Sequence, residues 1–353
     1  MKNIVLKIFS LLMIFLLSFT LLSCDENEEE EIKVDEVFTI HTELQTTYLA
    51  GNYKLVLSYA TGKEELSRPL PITLKWELVS GVNTYIVHLS ENSDFSNEKV
   101  LEASENQIDI YNLKINTVYY WYVICNEEKT VTKTFKIDAT GPRNLYVDGI
   151  TNVRDIGGYK TESGKYVKQG MIYRTARLNE NESTSLIITP DGIKEMLDIL
   201  KVKSELDVRK VDEAGITSSP LGDSVNYFHV PMTSGGNYLL INKDVIKDVF
   251  KVLGNEENYP IFVHCSIGTD RTGVVCFLVN ALLGVSEEDL YRDYLFSNFG
   301  YIEGTRTYSA IEKYIQTINS KSGDTLSAKT ENYLLSIGVS ASDIQTVKKM
   351  MLS

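Results

Sequence analysis

Residues 260–284, PIFVHCSIGTDRTGVVCFLVNALLG, hold two apolar runs joined by a polar loop. The first, "IFV", has the length of a buried strand. The second, "GVVCFLVNALLG", has the length of a buried helix and stops at Gly284. A wholly apolar strand that feeds a helix apolar on every side belongs to a parallel sheet covered by helices. The chain around it agrees. "TPDGIKEMLDIL" offers Thr189 as N-cap and Pro190 at the first helical position, with Ile193, Met196, Leu197 and Leu200 on one face. "SELDV" and "VNYFHVPM" read as strands. "KDVIKDVFKVLG" reads as an amphipathic helix ending at Gly254. From Ser286 onward the pattern is helical, and "SEEDLYRDYLFSN" and "SASDIQTVKKMML" each open on an N-cap serine.

The first part of the chain follows a different period. Between about Val37 and Ile137, "ITLKWELV" and "NTYIVHLS" alternate, and "VYYWYVIC" is aromatic and β-branched. Short strands at regular spacing predict a β-sandwich. "DATGPRNLYVDG", residues 138–149, is a Pro- and Gly-containing junction. The expected fold is therefore multidomain: an all-β sandwich over residues 37–138, then an α/β domain over 139–353 with a central, mostly parallel sheet and a helical C-terminal part. Ahead of both, Lys2 and Lys7 precede an apolar run too short for a membrane span of about 20 residues. Residues 1–23 read as a secretory signal. Residues 24–36 read as an acidic, solvated tether, since "DENEEEE" cannot bury itself. Removing the signal takes away two lysines and no acid, so the mature chain is more acidic still than the formal charge of −13. Such a surface disfavours nucleic acid and anionic lipid. Cys24, Cys125, Cys265 and Cys276 show no paired or metal-binding spacing, and Cys125 and Cys276 read as buried small hydrophobes.

The loop between strand and helix carries the chemistry. Cys265 stands at the strand's carboxyl end, where ligands of α/β sheets gather. A helix N-terminus and the nearby Arg271 both favour its thiolate. That thiolate is placed to attack phosphorus. The planar fork of Arg271 suits two equatorial oxygens, and the backbone N–H groups from Ser266 through Ile267, Gly268 and Thr269 to Asp270 suit the same oxygens. Gly268 lets the loop curl. Arg271 and the loop supply the positive field, so neither metal nor cofactor is expected.

"HCSIGTDRTG", with His264 before the cysteine and Thr272 and Gly273 after the arginine, resembles the signature of the cysteine-dependent protein tyrosine phosphatases. "NVRDIGGY", "IYRTARL", "LDVR", "DYLFSN" and "YLLSIGV" extend the resemblance over about residues 143–350, to a bacterial tyrosine/serine phosphatase branch with a lipid-phosphatase-like loop. The resemblance implies a cysteinyl-phosphate intermediate, with His264 in a supporting role and Thr272 assisting departure of the thiolate. It also implies a general acid inside the loop, at Asp270, because the region 227–236 that commonly supplies one holds no Asp or Glu. The other reading of Asp270 is a brace for the loop, with Asp223 as reserve acid. His229 is read as a strand residue. Arg154, Asp155, Asp207 and Arg209 are read as internal ion pairs. Thr269 stands where phosphoinositide-active relatives carry Lys, which favours phosphotyrosine.

Trp76, "YIVHLS" and "IYNLKINTVYYWYV" look like a fibronectin type III domain, and Tyr119, six residues after Leu113, is similar to its tyrosine corner. "LLSC" resembles a bacterial lipobox, which implies a lipid anchor on Cys24. The acids that follow resemble the surface-export signal of Bacteroidetes-type lipoproteins. The expected protein is a lipid-anchored phosphomonoesterase of the bacterial cell envelope. It would act on a phosphorylated protein or peptide, touch the membrane through Cys24, and offer the sandwich to a protein or glycan. The alternatives are a non-catalytic phospho-ligand binder and a phosphoinositide phosphatase.

Overall fold

The computed structural model describes residues 34–179 and 187–352. Residues 1–33, and with them the proposed signal, Cys24 and most of the tether, lie outside the described residues. Among the described residues no helix is long and apolar enough to cross a membrane.

The chain opens with strand β1 (Glu36–Phe38) and helix α1 (Glu43–Ala50), followed by a 3₁₀ turn over Tyr53–Ser58. Strands β2 (Ile72–Lys75), β3 (Tyr85–Ser90), β4 (Lys99–Ala103), β5 (Gln107–Ile110), β6 (Val118–Cys125), β7 (Glu128–Lys129) and β8 (Lys133–Ile137) come next. They form one sheet in the order β1-β8-β6-β3-β4, with β7 on β6, and a second sheet of β2 and β5. The alternation in the sequence decides which residues face inward. Tyr85, Val87 and Leu89 on β3, with Tyr119, Trp121 and Val123 on β6, share one core with Ile72 and Leu74 of the other sheet. Cys125, expected to be buried, is only half-buried at the end of β6.

The α/β part begins with β9 (Arg143–Asn144), β10 (Arg154–Asp155) and β11 (Ile172–Thr175). Helix α2 (Pro190–Lys194) runs on into a π turn over Glu195–Ile199, and Thr189 caps it as the sequence predicts. Then follow β12 (Ser204–Asp207), α3 (Val211–Ala214), β13 (Asn226–His229), α4 (Tyr238–Ile241), α5 (Lys243–Leu253) and β14 (Ile261–His264). The central helix α6 (Asp270–Leu283) leads to α7 (Glu287–Leu295), α8 (Ser309–Asn319), α9 (Leu326–Ser336) and α10 (Ala341–Met351). The sheet order is β13-β12-β14-β11-β10-β9, with the first four strands parallel. Along β14, Ile261 and Val263 enter the core that holds α6, while Phe262 enters the core on the opposite face. Cys265 thus leaves the middle of a sheet covered on both faces.

One expected boundary is corrected. Residues 43–60 lie within the segment read as sandwich, yet they are helical and belong to the α/β core: Tyr48, Leu49, Val56 and Ala60 pack in the cluster that contains α6 and α7. Tyr53 stacks on Tyr291 at 4.7 Å, and Tyr48 meets Phe299 at 5.4 Å. A capping box, Thr42 with Gln45, starts α1, and three of its residues are buried against the second domain. A helix that exposes no apolar stripe to the sandwich has no reason to stay in it.

Candidate active site

Strand β14 delivers His264 and Cys265, and helix α6 starts five residues later. Between them the loop turns its carbonyls outward, and each is held. Arg177 N–H donates to Ser266 O at 3.2 Å. Asn152 Nδ2 donates to Ile267 O at 3.0 Å and Gly268 O at 3.2 Å. Arg174 Nη2 donates to Gly268 O at 2.9 Å and Thr269 O at 3.4 Å, and Gly273 N–H donates to Thr269 O at 2.8 Å. A peptide whose carbonyl is tied on one side presents its N–H on the other. Among the described residues, none of the N–H groups from Ser266 to Arg271 donates to a protein oxygen. A run of convergent, unaccepted amides at a helix N-terminus is an anion cradle. Gly268 is required for it: φ is +68°, and a Cβ there would lie 2.2 Å from Thr175 O.

Cys265 is 2% exposed. Burial alone would raise its thiol. The Arg271 charge and hydrogen bonding from the Thr272 hydroxyl and N–H outweigh it, and the thiol lies below its ordinary value. The Thr272 hydroxyl is buried next to the thiol, where it favours the thiolate. Arg271 Nη1 donates to Glu213 Oε2 at 2.5 Å, and Nη2 donates to Ser266 Oγ at 3.2 Å. Glu213, from the short α3, therefore sets the plane of the guanidinium. Burial would raise the Glu213 carboxyl, but the Arg271 contact brings it below its usual range, so it is a carboxylate partner of the arginine.

The remaining predicted residues are placed as follows. Asp270 sits at the first turn of α6, where Tyr294 OH donates to its Oδ1 at 2.8 Å and Arg306 grips both of its oxygens at 2.9–3.2 Å. Thr269 is wholly buried, its hydroxyl turned toward Ile267 O and Asn152 rather than into the cradle. His264 bonds to Glu205 and to the Cys265 carbonyl. Cys276 is buried in α6, and burial pushes its thiol up to about 11. Asp223 is exposed in the turn before β13, and His229 bonds the Arg209 carbonyl at the end of its strand. The four residues read as ion pairs are so: Arg154 with Asp293, Asp155 with Arg143, and Asp207 with Arg209.

Sequence reasoning missed the second circle. Asn152, Arg174, Asp293, Glu213, Tyr294 and Arg306 all hold the loop or its charges, from up to 119 residues apart in the Arg174–Asp293 pair. A signal was present in part: Asn152 and Arg174 fall inside the quoted stretches "NVRDIGGY" and "IYRTARL", as does Asp293 inside "DYLFSN".

The chain is similar to known proteins over this same region. A Cupriavidus necator protein named as a tyrosine-protein phosphatase is 25% identical over 183 residues, 45% of this chain and 64% of the relative. The chain thus spans less than two thirds of that protein's length. Among solved structures, Pseudomonas aeruginosa TpbA matches with 18% identity over 49% of this chain and 89% of that one, TM-score 0.31. The catalytic core of the PP-IP phosphatase SIW14 from S. cerevisiae matches with 18% identity over 44% and 90%, TM-score 0.30. The model of the tyrosine phosphatase family spans residues 145–353, more than half of the chain and every residue that builds the cradle, and the protein belongs to that family.

Proposed function

We propose that the protein is a phosphomonoester hydrolase, a protein tyrosine phosphatase working through a phosphocysteine. One observation carries the reading: a loop whose amides from Ser266 to Arg271 meet no protein acceptor opens on a thiol that the fixed Arg271 guanidinium holds below its ordinary value. In the first step Cys265 Sγ attacks phosphorus. The S–P bond forms as the P–O bond to the leaving oxygen breaks, and Asp270 gives that oxygen a proton. In the second step Asp270 takes a proton from water, the water oxygen bonds to phosphorus, and the sulfur leaves as a thiolate that Thr272 stabilises. Inorganic phosphate is the product. Glu213 takes one N–H of Arg271 Nη1 and Ser266 Oγ one of Nη2, which leaves Nε and the second N–H of Nη2 to grip two equatorial oxygens.

The name of the Cupriavidus relative supports phosphotyrosine in a protein or peptide as substrate over a polyphosphorylated lipid. Residues 1–23 as a signal and a lipid on Cys24 would place the enzyme in the cell envelope, a reading supported by Lys2, Lys7 and "LLSC". The sandwich is read as fibronectin type III-like, a module for contact with a protein or glycan. Supporting this, the Tyr119 hydroxyl accepts the Lys114 N–H at 2.7 Å, as a tyrosine corner does.

The test is turnover of para-nitrophenyl phosphate and phosphotyrosine peptides with a chelator present. Cys265→Ser should abolish turnover, and quenched reactions of the native enzyme should carry phosphorus on Cys265. Tight binding of phosphopeptide with no turnover would make the protein a binder instead. Preference for phosphoinositides in the same panel would reassign the substrate.

A further inference from the structure

We infer that Glu65, which lies outside the span of the family, is a positioning residue for the anion cradle: its carboxyl holds Thr151, and through Thr151 the neighbouring Asn152 that ties two of the loop's carbonyls. The inference rests on the reading of that loop as the seat of a phosphoryl group.

Asn152 is wholly buried, and its backbone is left-handed, with φ at +59°. Asparagine tolerates that conformation better than most residues, yet it persists only where the surroundings hold it. Its side chain is committed at both ends. Nδ2 donates to Ile267 O at 3.0 Å and to Gly268 O at 3.2 Å, and Oδ1 accepts from Arg154 Nη1. Where this amide sits decides how the loop's peptides are turned, and with them the N–H groups on their other side.

The backbone at 151 and 152 is held from two directions. From the sheet, Ala176 N–H donates to Thr151 O at 3.3 Å. From the opposite direction, the Thr151 hydroxyl donates to Glu65 Oε2, and Tyr301 N–H donates to Thr151 Oγ1 at 2.8 Å and to Glu65 Oε2 at 3.4 Å. Gly300 lets that turn close in, since a Cβ there would lie 2.8 Å from Asn152 Cβ and 3.1 Å from Thr151 Oγ1. The other oxygen of Glu65, Oε1, accepts Ser67 N–H at 3.0 Å and the Ser67 hydroxyl at 2.5 Å. Both carboxyl oxygens are thus engaged, and the side chain cannot turn away without breaking a bond.

Glu65 is itself fixed by backbone on either side of it. Gly62 N–H donates to Asn298 O at 2.7 Å and Ile302 N–H to Gly62 O at 3.0 Å, while Leu66 N–H donates to Phe299 O at 2.6 Å. Lys63 and Glu64 between these anchors are exposed, as acids and lysines in a polar stretch ordinarily are. Glu65 instead turns inward onto a threonine that is 3% exposed. The segment that leads from α1 to the sandwich therefore reaches the cradle through a single side chain.

The experiment measures vanadate affinity by titration calorimetry in the full-length protein. Glu65→Ala should weaken vanadate about tenfold, the effect of a small misplacement of the donors. Glu65→Gln keeps an oxygen to accept the Thr151 hydroxyl and should recover most of the loss. Thr151→Val should lose as much as Glu65→Ala, and the double variant no more than either, because the two residues act along one route. Losses that add would give Glu65 a separate role and overturn the proposal. A Glu65→Ala protein that melts lower with native vanadate affinity would overturn it too, leaving a brace of the surface. Should Glu65→Ala fail to fold, Thr151→Val decides, and native affinity in that variant counts against the proposal. A second readout needs no ligand: the ¹H–¹⁵N resonances of Ile267, Gly268 and Thr269 should shift in Glu65→Ala and return in Glu65→Gln. Changes confined to residues 62–68 and 299–302 would overturn the proposal. A native protein that binds vanadate and hydrolyses no phosphomonoester would sink the phosphatase reading and leave this one standing.

Discussion

Two cysteines of α6 and its approach share a buried setting and differ in their charge. Cys265 has Arg271 and Thr272 beside it; Cys276 has burial against it, up to about 11. A thiol below its ordinary value gains thiolate as pH rises through that lower value. Cys265 should therefore alkylate near neutral pH while Cys276 does not, and Arg271→Ala should move the Cys265 midpoint upward. Asp270 poses a sharper question, because Arg306 and Tyr294 both hold it. If it is the acid, Asp270→Asn should slow phenyl phosphate at least about tenfold more than para-nitrophenyl phosphate, since the poorer leaving group needs the proton more. Arg306→Ala should show the same signature, only a few-fold in size, with vanadate affinity kept. Equal losses on both esters would make Asp270 a brace. Asp270 itself was legible in the sequence, because it lies between Cys265 and Arg271. Its clamp was not: nothing local announces that Arg306, on the far side of α7, folds back onto it.

At the scale of elements, the loop is held by the segments around β10, β11 and α7 rather than by itself. Asn152 ties two carbonyls, and Asp293 bridges Arg154 and Arg174 deep in the core. Removing one charge from such a set leaves the others uncompensated. Asp293→Asn should cost about 3–5 kcal/mol, read by urea denaturation, and should weaken vanadate binding because Arg174 also holds the loop. Burial would raise the Asp293 carboxyl, and the two guanidinium groups bring it below its ordinary value instead. A folded value below the unfolded one adds stability that is complete above the ordinary carboxylate range and is lost as pH falls through the folded value. His264 works the other way: its folded value lies above 6.5, so its pairing is complete below that pH and fades as pH rises. Strands β12, β13 and β14 and helices α2, α5 and α6 were legible because periodicity and caps are local, whereas the short β9 and β10, and β11, were not read. The network was not, because an ion pair between β11 and α7 leaves no trace in the spacing of either.

At the scale of the whole molecule, the misread helix matters most. Its cap, "HTELQ", was available as a local signal, but which core it enters depends on the chain far downstream. Residues 43–66 close onto the segment after α7: Gly62 N–H donates to Asn298 O at 2.7 Å, and Leu66 N–H donates to Phe299 O at 2.6 Å. A fragment of residues 139–353 would leave Tyr291, Phe296 and Phe299 without Tyr48 and Tyr53. It should melt at lower temperature than residues 34–353 and bind a hydrophobic dye that the longer protein does not. Equal melting would mean that the segment is an ornament on a self-sufficient core.

That arrangement builds the sandwich from two stretches, β1 before the helical segment and β2 to β8 after it, since β1 pairs with β8. The polypeptide opens in the β module, passes through the α/β core, leaves it near Leu66 to complete the module, and re-enters at Arg143, whose guanidinium bonds the Asn112 and Leu113 carbonyls at 2.6 and 2.9 Å. On the way, Gln169 exchanges two hydrogen bonds with the Ile115 backbone. A body stitched at both ends cannot swivel as one on a single hinge would. The outer face of the module is thereby held at a set bearing from the mouth of the anion cradle.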